Sequence, residues 1–84
     1  MTESTPRLEL LTRAGCHLCV TAAETLQRIA AEAGLAVAEV DVDADPELQA
    51  EYGDRVPVVL LDGLEHSYFT VDVERLRRDL HLVG

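Results

Sequence analysis

Leu8-Glu9-Leu10-Leu11-Thr12-Arg13-Ala14-Gly15-Cys16-His17-Leu18-Cys19 is the stretch that decides the architecture. From Arg7 to Thr12 it opens with apolar and polar residues in alternation and reads as a β-strand. Arg13-Ala14-Gly15 interrupts that pattern with a turn. From about His17 to Ala33 the apolar period becomes helical: Ala22, Leu26, Ile29 and Ala33 recur on one face, and Gly34 is a natural residue for closing the helix. Strand, turn and helix therefore deliver two cysteines, Cys16 and Cys19, to the start of a helix. At that spacing their Cα atoms lie roughly 5 Å apart, inside the window a disulfide needs. Backbone N–H groups and the macrodipole at a helix N-terminus favour a thiolate, and cysteines so placed have pKa values of about 3.5–7.5 against about 8.5 for a free thiol. Cys16, at the extreme end, is the expected nucleophile; Cys19, one turn further in, is the expected resolving thiol.

Beyond the first helix, Leu35 to Val42 reads as a second strand with Val40 and Val42 on one face and acids between them. Asp45-Pro46 marks a helix start, with Asp as N-cap and Pro at the first helical position, and this short helix is expected to end near Tyr52 before Gly53. Val56 to Leu61 is a nearly continuous apolar run, as in a strand covered on both faces. Asp62-Gly63 is a hairpin turn signal leading to a partner strand from Leu64 to Thr70. Asp72 can cap a last helix with the apolar stripe Val73, Leu76 and Leu80. The predicted order is β-α-β-α-β-β-α. A helix joining the first two strands implies a parallel pair with a right-handed crossover, and the tight turn between the last two implies an antiparallel hairpin. The expected fold class is α/β, a four-stranded mixed sheet flanked by helices.

The 84 residues suit one domain, with residues 1–6 read as a flexible tail. Apolar residues make up 48% of the chain, enough for a globular core, and aromatics only 4%, so that core must be built mainly from Leu, Val, Ile and Ala. Sixteen acids against seven bases, all arginine, give a formal charge of −9. This balance argues against a nucleic-acid partner and should repel acidic ones. The polar start has no basic n-region, and no apolar stretch approaches the roughly 18 residues of a membrane span. The expectation is a cytoplasmic monomer, bound neither to membrane nor to nucleic acid. In that compartment structural disulfides are rare, so the cysteines point to redox chemistry or a metal. Zinc would need two further ligands. His17 sits between the cysteines, and His66 and His81 fall on separate elements, so no metal is expected. Asp41-x-Asp43-x-Asp45 opens like a calcium loop, but Pro46 occupies the glycine position and Tyr52 that of the glutamate.

The segment Leu11 to Cys19 resembles the glutaredoxin active site, in which a basic residue precedes the C-x-x-C by a short turn. Val56-Pro57-Val58-Val59 resembles the Val-Pro segment that places a cis-proline opposite the cysteines in thioredoxin-like folds. Asp41 to Leu48, followed by Tyr52-Gly53, is similar to the connection common to that superfamily, and the likeness runs from Leu8 to Leu82, closest to short bacterial glutaredoxin-like proteins. The resemblance implies a thioredoxin-like fold and a dithiol oxidoreductase acting on protein disulfides or glutathione mixed disulfides. No cofactor is implied, with glutathione as a possible co-substrate. Val56 would pair its backbone with an incoming substrate like an added strand, and Pro57 would shield the cysteines from metal. Arg13 suits the Cys16 thiolate, a substrate carboxylate or an exposed turn; His17 suits tuning of the pair or plain solvation. Asp72 would receive the glutathione amine, although Tyr68-Phe69-Thr70-Val71-Asp72 lacks the glycine pair that glutaredoxins carry there. Leu10 stands where thioredoxins have a buried aspartate, six residues before the first cysteine. Two alternatives stay open: a glutathione-dependent iron–sulfur cluster carrier, and an interaction module that keeps the fold without using its thiols.

Overall fold

The computed structural model describes residues 6–80. The expected loose tail falls outside these residues except for Pro6, as does His81. Four strands form one sheet in the order β2-β1-β3-β4: β1 (Leu8–Thr12), β2 (Val37–Asp41), β3 (Val58–Leu61) and β4 (Leu64–Tyr68). Helices α1 (His17–Ala33), α2 (Pro46–Tyr52) and α3 (Val73–Asp79) complete the β-α-β-α-β-β-α order. β1 runs parallel to β2 and antiparallel to β3, and β3 pairs antiparallel with β4.

Side-chain alternation along β1 divides the core. Leu8 and Leu10 join Ala22, Leu26, Ile29 and Ala30 of α1, Leu76 of α3 and Val59 of β3 on one face. Leu11 joins Val42, Val58 and Leu60 on the other, where Leu48 and Tyr52 of α2 pack against them. α1 and α3 therefore cover one side of the sheet and α2 the other.

Local chemistry sets the ends of these elements. α1 stops at Gly34, whose φ of 71° is left-handed, and Leu35 N–H donates back to Ala30 O at 2.8 Å. That closure occupies Leu35, so β2 begins at Val37 rather than Leu35. β2 ends before Val42 because the Asp41 carboxylate accepts Asp43 N–H at 2.9 Å and opens a 3-10 turn over Val42–Ala44. Val42 remains fully buried, with Val40 packed against the same cluster, so the apolar pairing read from the sequence survives the change of backbone. Asp45 caps α2 by accepting Glu47 N–H at 2.9 Å, with Pro46 in the first turn. β3 starts at Val58, after Pro57, and the Val56–Pro57 peptide is cis. Asp62 and Gly63 have φ of 55° and 84°, the left-handed pair of a type I′ hairpin turn. Asp62 also ties that turn to the start of β1, accepting Arg7 N–H at 2.9 Å and donating its own N–H to Arg7 O at 2.8 Å. β4 ends at Tyr68 rather than Thr70, because Phe69 adopts φ 68° and its N–H donates to Pro57 O at 2.7 Å. The register between Val59↔Ser67 and Leu60↔Glu65 leaves His66 as the extra residue of a bulge.

Leu26 is fully enclosed between α1 and the sheet. Leu26→Ala is expected to cost about 2–4 kcal/mol in urea unfolding, the usual toll of a buried leucine truncation, whereas Leu26→Met should cost less than about 1.5 kcal/mol.

Candidate functional site

The β1–α1 connection places the cysteines. Gly15 takes φ 77°, and a Cβ there would meet nothing within 4 Å, so the requirement is for left-handed backbone and not for space. The turn it makes leaves Cys16 extended (φ −94°, ψ 112°) as the N-cap of α1. Its Sγ accepts the Cys19 N–H at 3.2 Å, as a serine or aspartate oxygen would at such a cap. The sulfur thus takes up one first-turn N–H at the N-terminal end of α1, where the helix dipole favours negative charge. Cys16 is half-buried, while Cys19, on the inner side of the same turn, is only 5% exposed.

The two thiols are electrostatically unequal. The Cys19 thiol is pushed up from 9.0 to about 11, chiefly by burial, with a hydrogen bond to Cys16 and the charge of Cys16 contributing and a backbone hydrogen bond from Arg13 partly offsetting them. Cys19 therefore keeps its proton at neutral pH.

A cavity of about 400 Å³ opens beside Cys16, lined also by Thr12, Arg13, His17, Val20 and Glu39. Arg13 and His17, both singled out from the sequence, thus join the cysteines. Arg13 does so with its guanidinium already engaged: Nε and Nη2 meet the Asp43 carboxylate at 3.2 Å each, and Nη1 donates to Gly53 O at 3.4 Å. The side chain braces the loop after β1 against the 3-10 turn. His17 is the first residue of α1 and is exposed.

Val56, Pro57 and Asp72 do not line this cavity. The register Leu11↔Val58 nevertheless sets Pro57, which is buried, at the end of the sheet from which the Cys16 loop emerges. Asp72 caps α3, its carboxylate accepting Arg75 N–H at 3.2 Å. On the other flank of the first helical turn, Leu18 and Thr21 face Phe69, Thr70 and Val71 across an apolar groove, with Leu18 52% and Phe69 43% exposed. Sequence reasoning missed Glu39, Val20 and this groove. Glu39 reaches the cavity because it pairs with Leu10 across β1 and β2 and so shares the α1 face, a register that no local pattern announces. Among the described residues, no group of three or more His, Cys, Asp and Glu side chains is arranged to hold a metal ion. His66 is instead 2.7 Å from Asp79. No helix among those residues is long and apolar enough to cross a membrane.

The family model described as glutaredoxin-like domain (DUF836) matches residues 7–81. An uncharacterized protein of Mycobacterium tuberculosis is 54% identical over 82 residues, which cover 92% of this chain and 84% of that protein. Among solved structures, a Nitrosomonas europaea protein superposes with a TM-score of 0.78 at 23% identity, covering 94% of this chain and 98% of its own. A mutant thioredoxin from Halobacterium salinarum gives a TM-score of 0.65 at 26% identity, covering 92% of this chain and 73% of its own. The fold is thioredoxin-like.

The raised Cys19 thiol has a consequence for stability. In the unfolded chain it ionises near 9.0, in the folded chain near 11, so between these values the unfolded state binds fewer protons. Stability of the reduced protein should fall as pH rises through that window, because the slope follows the difference in bound protons. Urea titrations from pH 8 to 11 are expected to show a steeper loss for wild type than for Cys19→Ala, the difference isolating this thiol from the tyrosines.

Proposed function

The chain belongs to the glutaredoxin-like domain family, and we propose that it is a dithiol oxidoreductase that reduces disulfides through Cys16 and Cys19. The observation that carries the reading is the inequality of the two sulfurs. Cys16 Sγ sits on the helix N-terminus, receives the Cys19 N–H at 3.2 Å and borders an open cavity, whereas Cys19 is buried and protonated. One thiol is accessible for attack; the other is held in reserve within the same turn.

In the first step the Cys16 thiolate attacks a sulfur of the substrate disulfide. A Cys16–substrate bond forms, the substrate S–S bond breaks, and its second sulfur leaves as a thiolate that takes up a proton. Two of the three influences that raise the Cys19 thiol, its hydrogen bond to Cys16 and the Cys16 charge, are then removed by the new bond at Cys16 Sγ; of the three, burial remains. Cys19 gives up its proton and attacks Cys16 Sγ. The second substrate thiolate is released, and the Cys16–Cys19 disulfide holds the oxidising equivalents of the reaction, two electrons having passed to the substrate. A thiol donor reverses the sequence to restore the dithiol. Leu10, fully buried at the position of the thioredoxin aspartate, offers no carboxylate to collect the Cys19 proton. Water or the leaving thiolate must take it.

The reductive direction goes with a cytoplasmic setting, where the thiol pool keeps dithiols reduced. The substrates proposed are protein disulfides and mixed disulfides of small thiols, with the chain acting as a monomer. The test is trapping. Cys19→Ser, incubated with cell extract and then denatured in acid, should carry a mixed disulfide at Cys16 by intact-mass spectrometry. Cys16→Ser should lose turnover of a model disulfide by roughly 10²-fold or more, a hydroxyl being unable to enter the exchange. Absence of any adduct, together with Cys16 alkylation no faster than that of a free thiol, would overturn the reading.

A further inference from the structure

The cavity beside Cys16 is electrostatically one-sided. Glu39 enters it from β2 and makes no salt bridge among the described residues. The one arginine on the lining, Arg13, is engaged by Asp43 through two nitrogens and by the Gly53 carbonyl through a third, so its charge is compensated within the protein. His17 is the remaining basic side chain there. The chain as a whole carries −9, and the long-range field adds to the local carboxylate. A substrate bearing carboxylates would approach Cys16 against Glu39 with no uncommitted arginine to receive them. A substrate bearing an ammonium or guanidinium group would find a carboxylate in place.

Resting on the dithiol reading above, we propose that the Cys16 cavity selects disulfides with positive charge beside the reacting sulfur and disfavours those with carboxylates, glutathione disulfide included. Glu39 is the specificity-determining residue: it receives the substrate cation and takes no part in bond exchange. The covalent steps are those already described, with the cationic half of the substrate joined to Cys16 and then released as a thiol.

The test uses the reduced full chain in single-turnover oxidation by three disulfides: cystamine, which is cationic, hydroxyethyl disulfide, which is neutral, and glutathione disulfide, which is anionic. Each rate is divided by that of dithiothreitol with the same disulfide, which removes differences in intrinsic reactivity and leaving group. The expected order is cystamine, hydroxyethyl disulfide, glutathione disulfide, with about three- to tenfold between neighbours at low ionic strength. The spread should collapse at about 0.5 M salt, where screening acts within a few ångström. Glu39→Gln should shrink the cystamine-to-glutathione ratio by about fivefold and Glu39→Lys should invert it. Because the ratio is taken within each variant, any loss common to all three substrates cancels. A wild-type ratio at or below one, or a ratio unmoved by both variants, overturns the selectivity while reduction of hydroxyethyl disulfide leaves the dithiol reading standing. Failure to reduce any of the three overturns both.

Discussion

β1 is held on both edges and both faces at once. It lies parallel to β2 and antiparallel to β3, with Leu8 and Leu10 enclosed on the α1 and α3 side and Leu11 enclosed on the α2 side. Burying each such leucine is worth about 1.5–3 kcal/mol, and a one-residue slip against either neighbour would exchange the two faces. The register is therefore strongly specified, and with it the point where β1 ends. Only Arg13, Ala14 and Gly15 separate that end from the Cys16 cap, so the sulfur is located by the core. The same register brings the start of β3 and the end of β4 to one rim of the sheet, so the cysteines, Pro57 and Phe69 share an end of the molecule.

Much of this was legible in the sequence wherever the signal was local. α1 runs from His17 to Ala33 as its apolar period indicates, because an amphipathic stripe and a left-handed glycine are both written into neighbouring residues. The same holds for the Asp45 and Asp72 caps and for the turn at Asp62-Gly63, each of which bends or caps the chain within a few positions of itself, although Asp62 also bonds Arg7. Strand ends were less legible. β4 stops at Tyr68 because Phe69 turns left-handed, a conformation no bulky side chain advertises, and it does so while its N–H reaches Pro57, the residue just before the neighbouring strand. β2 starts late because the α1 closure claims Leu35.

The candidate site divides in the same way. Cys16 and Cys19 could be read from spacing and position, since the relation between them is internal to one helical turn. Arg13 could be named but not assigned: its partner is Asp43, thirty positions away, and only the meeting of the β1 and β2 ends pairs them. Glu39 could not be named at all. As one acid among sixteen it has no distinguishing neighbour, and it lines the cavity because of the residue opposite it on β1.

Proton handling follows from the same placement. Because α1 starts at the cysteines, one sulfur caps the helix and the other lies beneath its first turn, next to the face that Leu10 covers. The burial that makes the core also keeps Cys19 protonated, without any ionisable side chain dedicated to that end. An acid at position 10, where thioredoxins carry an aspartate, would place a carboxylate where the structure has a fully buried leucine packed with α1 residues, a burial that costs several kcal/mol unless the charge is satisfied. The chain keeps the leucine. In the dithiol chemistry proposed for this chain, relief of Cys19 would come from the reaction itself: capture of Cys16 in a mixed disulfide would remove the hydrogen-bond partner and the charge that help hold the proton on Cys19. On that proposal the second thiol would become easier to ionise only once there is a bond for it to break.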